Sequence, residues 1–229
     1  MKIIQKSLVE SIKDCKGTII IIDVLRAFST LCAIKDSGAS EIHLCENTKD
    51  AETKSRLYEM VTVGESNGRK IDSFNLGNSP SSISNSDLRG KKVLFKTSSG
   101  TVGAFEALKV SNDIYLSSFI NSHATVKHIL GRNLDMVTII ALGRSGTKKS
   151  IEDELCSEYI ATIFKRNGKG DDALRSKMIK EIMSSDSARI FLKGDKDFPE
   201  SDLSFCLSTK NSPHVFKVIK KKDIEIEFL

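Results

Sequence analysis

Asp23 and Arg26 stand three residues apart in "GTIIIIDVLRAFST" (Gly17–Thr30), where a run of four isoleucines gives out. A carboxylate at a strand exit suits a hard, oxygen-seeking cation. A guanidinium beside it suits bidentate contact with an anion. A purely structural account is equally open, with Asp23 capping the next helix and Arg26 pairing a neighbouring acid. Other chemistry-bearing residues lie at similar junctions. "LGNSP" (Leu76–Pro80) reads as a helix start, Ser79 at the cap and Pro80 at the first position, with N–H groups able to take an anion. "TSSGT" (Thr97–Thr101) offers hydroxyls and a glycine that permits close approach. "SIED" (Ser150–Asp153) matches a capping box that accounts for Ser150 and Asp153 and leaves Glu152 over.

Several familiar patterns fail on inspection. "GESNG" (Gly64–Gly68) fits G-x-S-x-G, but a nucleophile elbow needs a helix straight after the serine, and here Asn67-Gly68 announces a tight hairpin. "GRSGTKKS" lacks the glycine a phosphate-binding loop places before its lysine. A phosphatase with an Asp-x-Asp nucleophile needs a second Asp where Leu25 stands. The four histidines show no metal-ligand spacing.

The elements that must position these residues alternate. Periodicity predicts a strand at Thr18–Asp23, a helix at about Ala27–Ser37, a strand in "EIHLCE" and a helix in "TKDAETKSRLYEM". Strands follow at Val61–Val63, in "KKVLFK", "DIYLSSF" and "DMVTIIALG", with helices in "VGAFEALKV" and "NSHATVKHILG" between them. A long helix runs from Ile151 to about Lys165. A surface turn, "KRNGKGDD", precedes two further helices and a last strand, "HVFKVI". This order predicts one α/β domain over residues 1–229, with a parallel or mixed sheet covered on both faces. Function in such folds gathers at the carboxyl ends of strands, where "DVLR", "GESNGR", "TSSGT" and "LGRSGTKKSIED" all fall.

Composition narrows the classes. Of 229 residues, 39% are hydrophobic and 28% charged, ordinary for a water-soluble domain. No apolar run approaches the ~20 residues of a membrane helix, and the N-terminus does not read as a secretion signal. Five dispersed cysteines without a C-x-x-C pair read as free thiols, so a cytoplasmic setting and no membrane are expected. A net charge of +5 is compatible with anionic substrates. With no Trp and three Tyr, a nucleic-acid partner is not expected. A homo-oligomer is compatible with the sequence.

Taken in order, "IDVLRA", "GESNGRKIDSFNLGNSP", "TSSGT", "SFIN" and "LGRSGTKKSIEDELC" resemble the signature blocks of the 2-phosphosulfolactate phosphatase family, with a fainter match in "DLSFC". The resemblance implies a three-layer α/β/α sandwich. It implies a Mg²⁺-dependent phosphatase of coenzyme M biosynthesis that splits the small phosphate ester into sulfolactate and phosphate. On this resemblance Asp23, Glu65, Glu152 and Asp153 are the expected metal ligands, with Asp23, Arg26 and Glu65 catalytic. Arg69, Asn78, Ser79, Ser99, Gly100, Thr101, Asn121 and Arg144 are the expected substrate contacts. Two alternatives stand beside it: a phosphatase of the same fold for another small ester, and a non-catalytic anion-binding homologue. The second is motivated by Ser99 and Glu158, where the family has Asn and a small residue.

Overall fold

All four isoleucines of "TIIII" are fully buried, and they divide by parity between two cores. Successive side chains of a strand point to opposite faces. Ile19 and Ile21 therefore join one apolar cluster, and Ile20 and Ile22 join another. A strand covered on both sides reads as a continuous apolar run, which is how this one is written.

The computed structural model describes residues 1–229. Its strands are β1 (Lys2–Ser7), β2 (Thr18–Ile22), β3 (Glu41–Leu44), β4 (Val61–Ser66), β5 (Arg69–Lys70), β6 (Lys92–Lys96), β7 (Ile114–Ser117), β8 (Met136–Ala141), β9 (Phe216–Lys220) and β10 (Ile224–Phe228). The helices are α1 (Ala27–Asp36), α2 (Thr48–Tyr58), α3 (Pro80–Ile83), α4 (Gly100–Leu108), α5 (Ser122–Leu130), α6 (Ile151–Lys165), α7 (Asp172–Met183), α8 (Asp186–Arg189) and α9 (Glu200–Cys206).

The strands form one sheet in the order β1-β8-β2-β7-β9-β10-β3-β6-β4-β5. Two parallel blocks, β1-β8-β2-β7 and β3-β6-β4, are joined by the antiparallel pair β9-β10. Helices α1, α3 and α4 contribute to the core on one face; α5, α6, α7 and α9 contribute to the core on the other. This is the expected α/β/α sandwich with a mixed sheet.

The joining pair reverses the sense of the second block, because β9 runs against β7 and β10 against β3. In a flat sheet the carboxyl ends of β2 and β6 would point opposite ways. Five pairing steps separate them, and at ~20–25° of twist per step the sheet turns by on the order of 100°. Twist on this scale lets strand ends from both blocks reach one cavity.

Candidate active site

Glu65 is delivered by a tight approach of two strands. Gly64 sits at φ 155°, and a Cβ there would lie 1.9 Å from the Lys96 carbonyl oxygen. Only glycine allows β4 to run so close to the end of β6. The chain then reverses through Asn67 and Gly68, at φ 52° and 83°, the expected hairpin turn into β5. The Glu65 carboxylate ties this corner together. It accepts hydrogen bonds from the Gly68 amide at 2.5 Å, from the Ser98 amide, and from the Ser98 hydroxyl at 3.0 Å.

Asp153 performs the same service on the other block. Its two oxygens accept from the Val24 amide at 2.8 Å and the Gly143 amide at 2.9 Å, so it pins the exits of β2 and β8 to the first turn of α6. The capping box expected in "SIED" is therefore not formed. Asp153 reaches away from Ser150, whose hydroxyl makes no cap bond. Asp23 follows both sequence readings at once. One oxygen accepts from the Ala27 amide at 3.1 Å and closes the start of α1, while the side chain lines the cavity.

That cavity, about 320 Å³, collects Asp23, Arg26, Glu65, Asn78, Ser99, Arg144, Glu152 and Asp153 from the expected set. Burial, with Glu65 and Glu152 beside it, pushes the Asp23 carboxyl up to about 7. Burial raises Glu152 as well. It pushes Asp153 well up, together with the charges of Asp23 and Glu152, against the two amides that favour its charged form. Three buried oxygens on these walls lack any hydrogen-bond partner: Glu152 Oε2, Asn78 Oδ1 and Ser150 Oγ. Buried acceptors are seldom left so.

These unpartnered oxygens fit a hard cation. No three acid, histidine or cysteine side chains form a ready metal cage. Glu65 and Asp153 have their oxygens engaged by the backbone, which leaves Asp23 and Glu152 as the acids with oxygen to spare. One or two carboxylates completed by water and substrate oxygens is the usual manner of holding Mg²⁺.

The two expected arginines differ. Arg144 is exposed at the cavity rim and enters no ion pair, and its charge favours the ionised form of Glu152. Arg26 is buried and already paired, with Asp202 Oδ2 at 2.7 Å, as the structural account of that motif had it.

Five expected contacts lie off the cavity. Arg69 is largely exposed and pairs with Asp195 and Asp197. Ser79 caps α3 and donates to Asp202 at 2.8 Å. Gly100 is glycine because a Cβ would meet Ala27 Cβ at 2.7 Å, a packing need rather than approach to a ligand. Thr101 exchanges hydrogen bonds with Thr97 inside the loop. Asn121 is fully buried and accepts from the Ser118 amide at 2.8 Å, organising the exit of β7. Sequence reasoning missed Ser98, Ser145 and the segment carrying Ser187, Ile190, Phe191 and Phe198, which forms an apolar wall. The signal for that wall is faint, since "FLKGDKDFPE" has no periodicity.

A family model described as 2-phosphosulpholactate phosphatase matches residues 3–221. The chain belongs to that family. Proteins named probable 2-phosphosulfolactate phosphatase resemble it at 33% identity in Caldicellulosiruptor saccharolyticus, over 82% of this chain and 83% of the relative. The protein of that name in Thermotoga maritima is 30% identical over 84% and 85%. The one in Prochlorococcus marinus is 32% identical over 64% of this chain, and the match spans 61% of the relative's own length. Of the two departures from this family's pattern, Glu158 is exposed on α6 and off the cavity. Ser99 does line the cavity, and its hydroxyl donates to the Gly143 carbonyl at 2.8 Å, joining the two blocks.

Proposed function

We infer that the chain is a phosphoric monoester hydrolase for a small, multiply anionic ester, with 2-phosphosulfolactate, for which the family is named, as the substrate. One observation carries the reading. The buried Glu152, with one unpartnered oxygen, shares a small cavity with the acids Asp23, Glu65 and Asp153, the unpartnered oxygens of Asn78 and Ser150, and an exposed, unpaired Arg144. A wall so rich in acids repels a phosphate ester unless a cation is taken up with it. Asp23 and Glu152 would hold Mg²⁺, with Asn78 and Ser150 adding neutral oxygens. When bound, the ion supplies charge stabilisation at the phosphoryl oxygens.

The chain's own groups do the rest. Arg144 donates charge-assisted hydrogen bonds to the phosphate or to a carboxylate or sulfonate beside it. Glu65 and Asp153 fix the loops in advance, so little reorganisation is needed as charge develops. The apolar wall of Ile190, Phe191 and Phe198 limits water around the reacting group. A cytoplasmic setting and a place in coenzyme M biosynthesis belong to the same proposal. All five cysteines are buried and free, as a reducing compartment permits.

The test is phosphate release from phosphosulfolactate with Mg²⁺ and with EDTA. Release is expected only with the metal. Asp23→Asn and Glu152→Gln should each lower kcat/KM by about 10²-fold or more. Equal turnover in EDTA would remove Mg²⁺ from the reading. A chain that binds phosphate but hydrolyses no ester would be the anion-binding homologue instead.

A further inference from the structure

Asp202 lies on α9, far along the chain from every cavity acid, and is fully buried. Its Oδ2 receives Arg26 Nη1 at 2.7 Å. Its Oδ1 accepts from the Ser79 hydroxyl at 2.8 Å, the Ser81 amide at 3.0 Å and the Ser81 hydroxyl at 2.6 Å. A carboxylate held by three donors on one oxygen is a fixed anchor. Arg26 is held elsewhere too. Nη1 also donates to the Asp197 carbonyl at 2.6 Å, and Nη2 to the Gly68 carbonyl at 3.1 Å. The guanidinium carbon lies 4.8 Å from the Phe198 ring centre and 5.4 Å from that of Phe191.

We propose that Asp202 is a positioning residue for anion binding in the cavity, holding Arg26 so that its Nε–H and remaining Nη2–H serve as an anion contact. Three of five guanidinium hydrogens are committed to protein oxygens, and the side chain still lines the cavity. Two carbonyls and two rings would orient a guanidinium poorly without a charged partner. The competing effect is charge, because removing Asp202 leaves Arg26 uncompensated and so more attractive to anions. The cavity's own acids decide the outcome. Asp23 already feels Arg26, and a released guanidinium would turn towards Asp23 and Glu65 before any ligand arrived. Asp202 thus holds the cation off the acids while leaving it available to substrate. A buried ion pair is weak evidence for stability alone, since apolar replacements often serve as well.

The proposal rests on the reading of the cavity as an anion site, so its test uses inorganic phosphate, which needs no turnover. Titration calorimetry with phosphate, in Mg²⁺, compares the wild type with Asp202→Asn, Arg26→Gln and the double variant. Asp202→Asn is expected to weaken phosphate binding about tenfold or more. The double variant should bind no worse than Arg26→Gln alone, because both changes remove one contact. Additive losses, or unchanged affinity in a folded Asp202→Asn, overturn the proposal. If Asp202→Asn does not fold, Ser79→Ala with Ser81→Ala loosens the anchor and keeps the ion pair. That variant should weaken phosphate binding several-fold, and a fall in Tm with affinity intact would reduce Asp202 to a structural role. Wild-type phosphate binding without ester turnover would sink the hydrolase reading and leave this one standing.

Discussion

One oxygen of Asp23 closes the first turn of α1 and the side chain faces Glu65 and Glu152, so the residue carries a structural cap and a burden of negative charge together. The consequence is a defined pH dependence. Burial and the neighbouring acids lift its carboxyl from the ordinary 3.8 to about 7 in the folded chain. Between those values the folded state binds more protons than the unfolded one, so stability falls as pH rises across the window and levels off above it. Wild type in EDTA should therefore lose Tm between about pH 5 and pH 8, at about 2–4 °C per kcal/mol for a chain of this size. Asp23→Asn should show a smaller loss, since its amide does not ionise, while its oxygen keeps the Ala27 cap. Mg²⁺ should restore the wild type at the higher pH and do little for the variant. Parallel melting profiles for both proteins, with and without Mg²⁺, would remove Asp23 from the cation site.

At the scale of elements, the strand–helix alternation was legible wherever burial is two-sided or one face is apolar. "TIIII" and the helix from Ile151 to Lys165 fall where periodicity puts them. β1 escaped because it is only partly buried and lysines flank its short apolar pair, whereas β10, "IEIEF", carries the period-2 alternation of a partly buried strand and was legible in principle. The site was legible as a set of strand exits but not as a division of labour. Asp153 and Glu65 look like ligands in sequence, yet each is also claimed by a backbone amide remote in the chain, Val24 for Asp153 and Ser98 for Glu65. Ser79, likewise, meets its partner Asp202 only across 123 positions. Such pairings have no local signature. Gly64 shows what an element boundary demands. Gly64→Ala places a methyl 1.9 Å from a backbone oxygen at a left-sided φ, so β4 must leave β6. The expected cost is about 3 kcal/mol or more, with phosphate affinity lost as Glu65 moves. Chemical denaturation and phosphate titration of that variant should fall together; a loss of stability with affinity intact would separate Glu65 from the site.

Across the whole molecule, the cavity is a seam between two parallel blocks that touch the same ligand space but belong to opposite halves of one sheet. The first block supplies Asp23, Arg144, Glu152 and Asp153; the second supplies Glu65 and Ser98. Their mutual placement depends on β9 and β10, which pair with β7 on one side and β3 on the other. Ile226, at the middle of β10 and 5% exposed, joins the core that also holds Ile19, Leu31 and Ile42. Truncating it to alanine should cost about 2–5 kcal/mol through lost burial and the void left behind. If the pair ties the blocks into one cooperative unit, the Ile226→Ala melt stays a single transition at lower temperature, the same by secondary-structure signal and by phosphate protection. The protein that remains folded should bind phosphate within about twofold of wild type, because Ile226 lines no part of the cavity and independent sites contribute additively. A two-step melt, with phosphate protection lost before the sheet signal, would mean that the blocks are stable separately and that the hairpin merely links them.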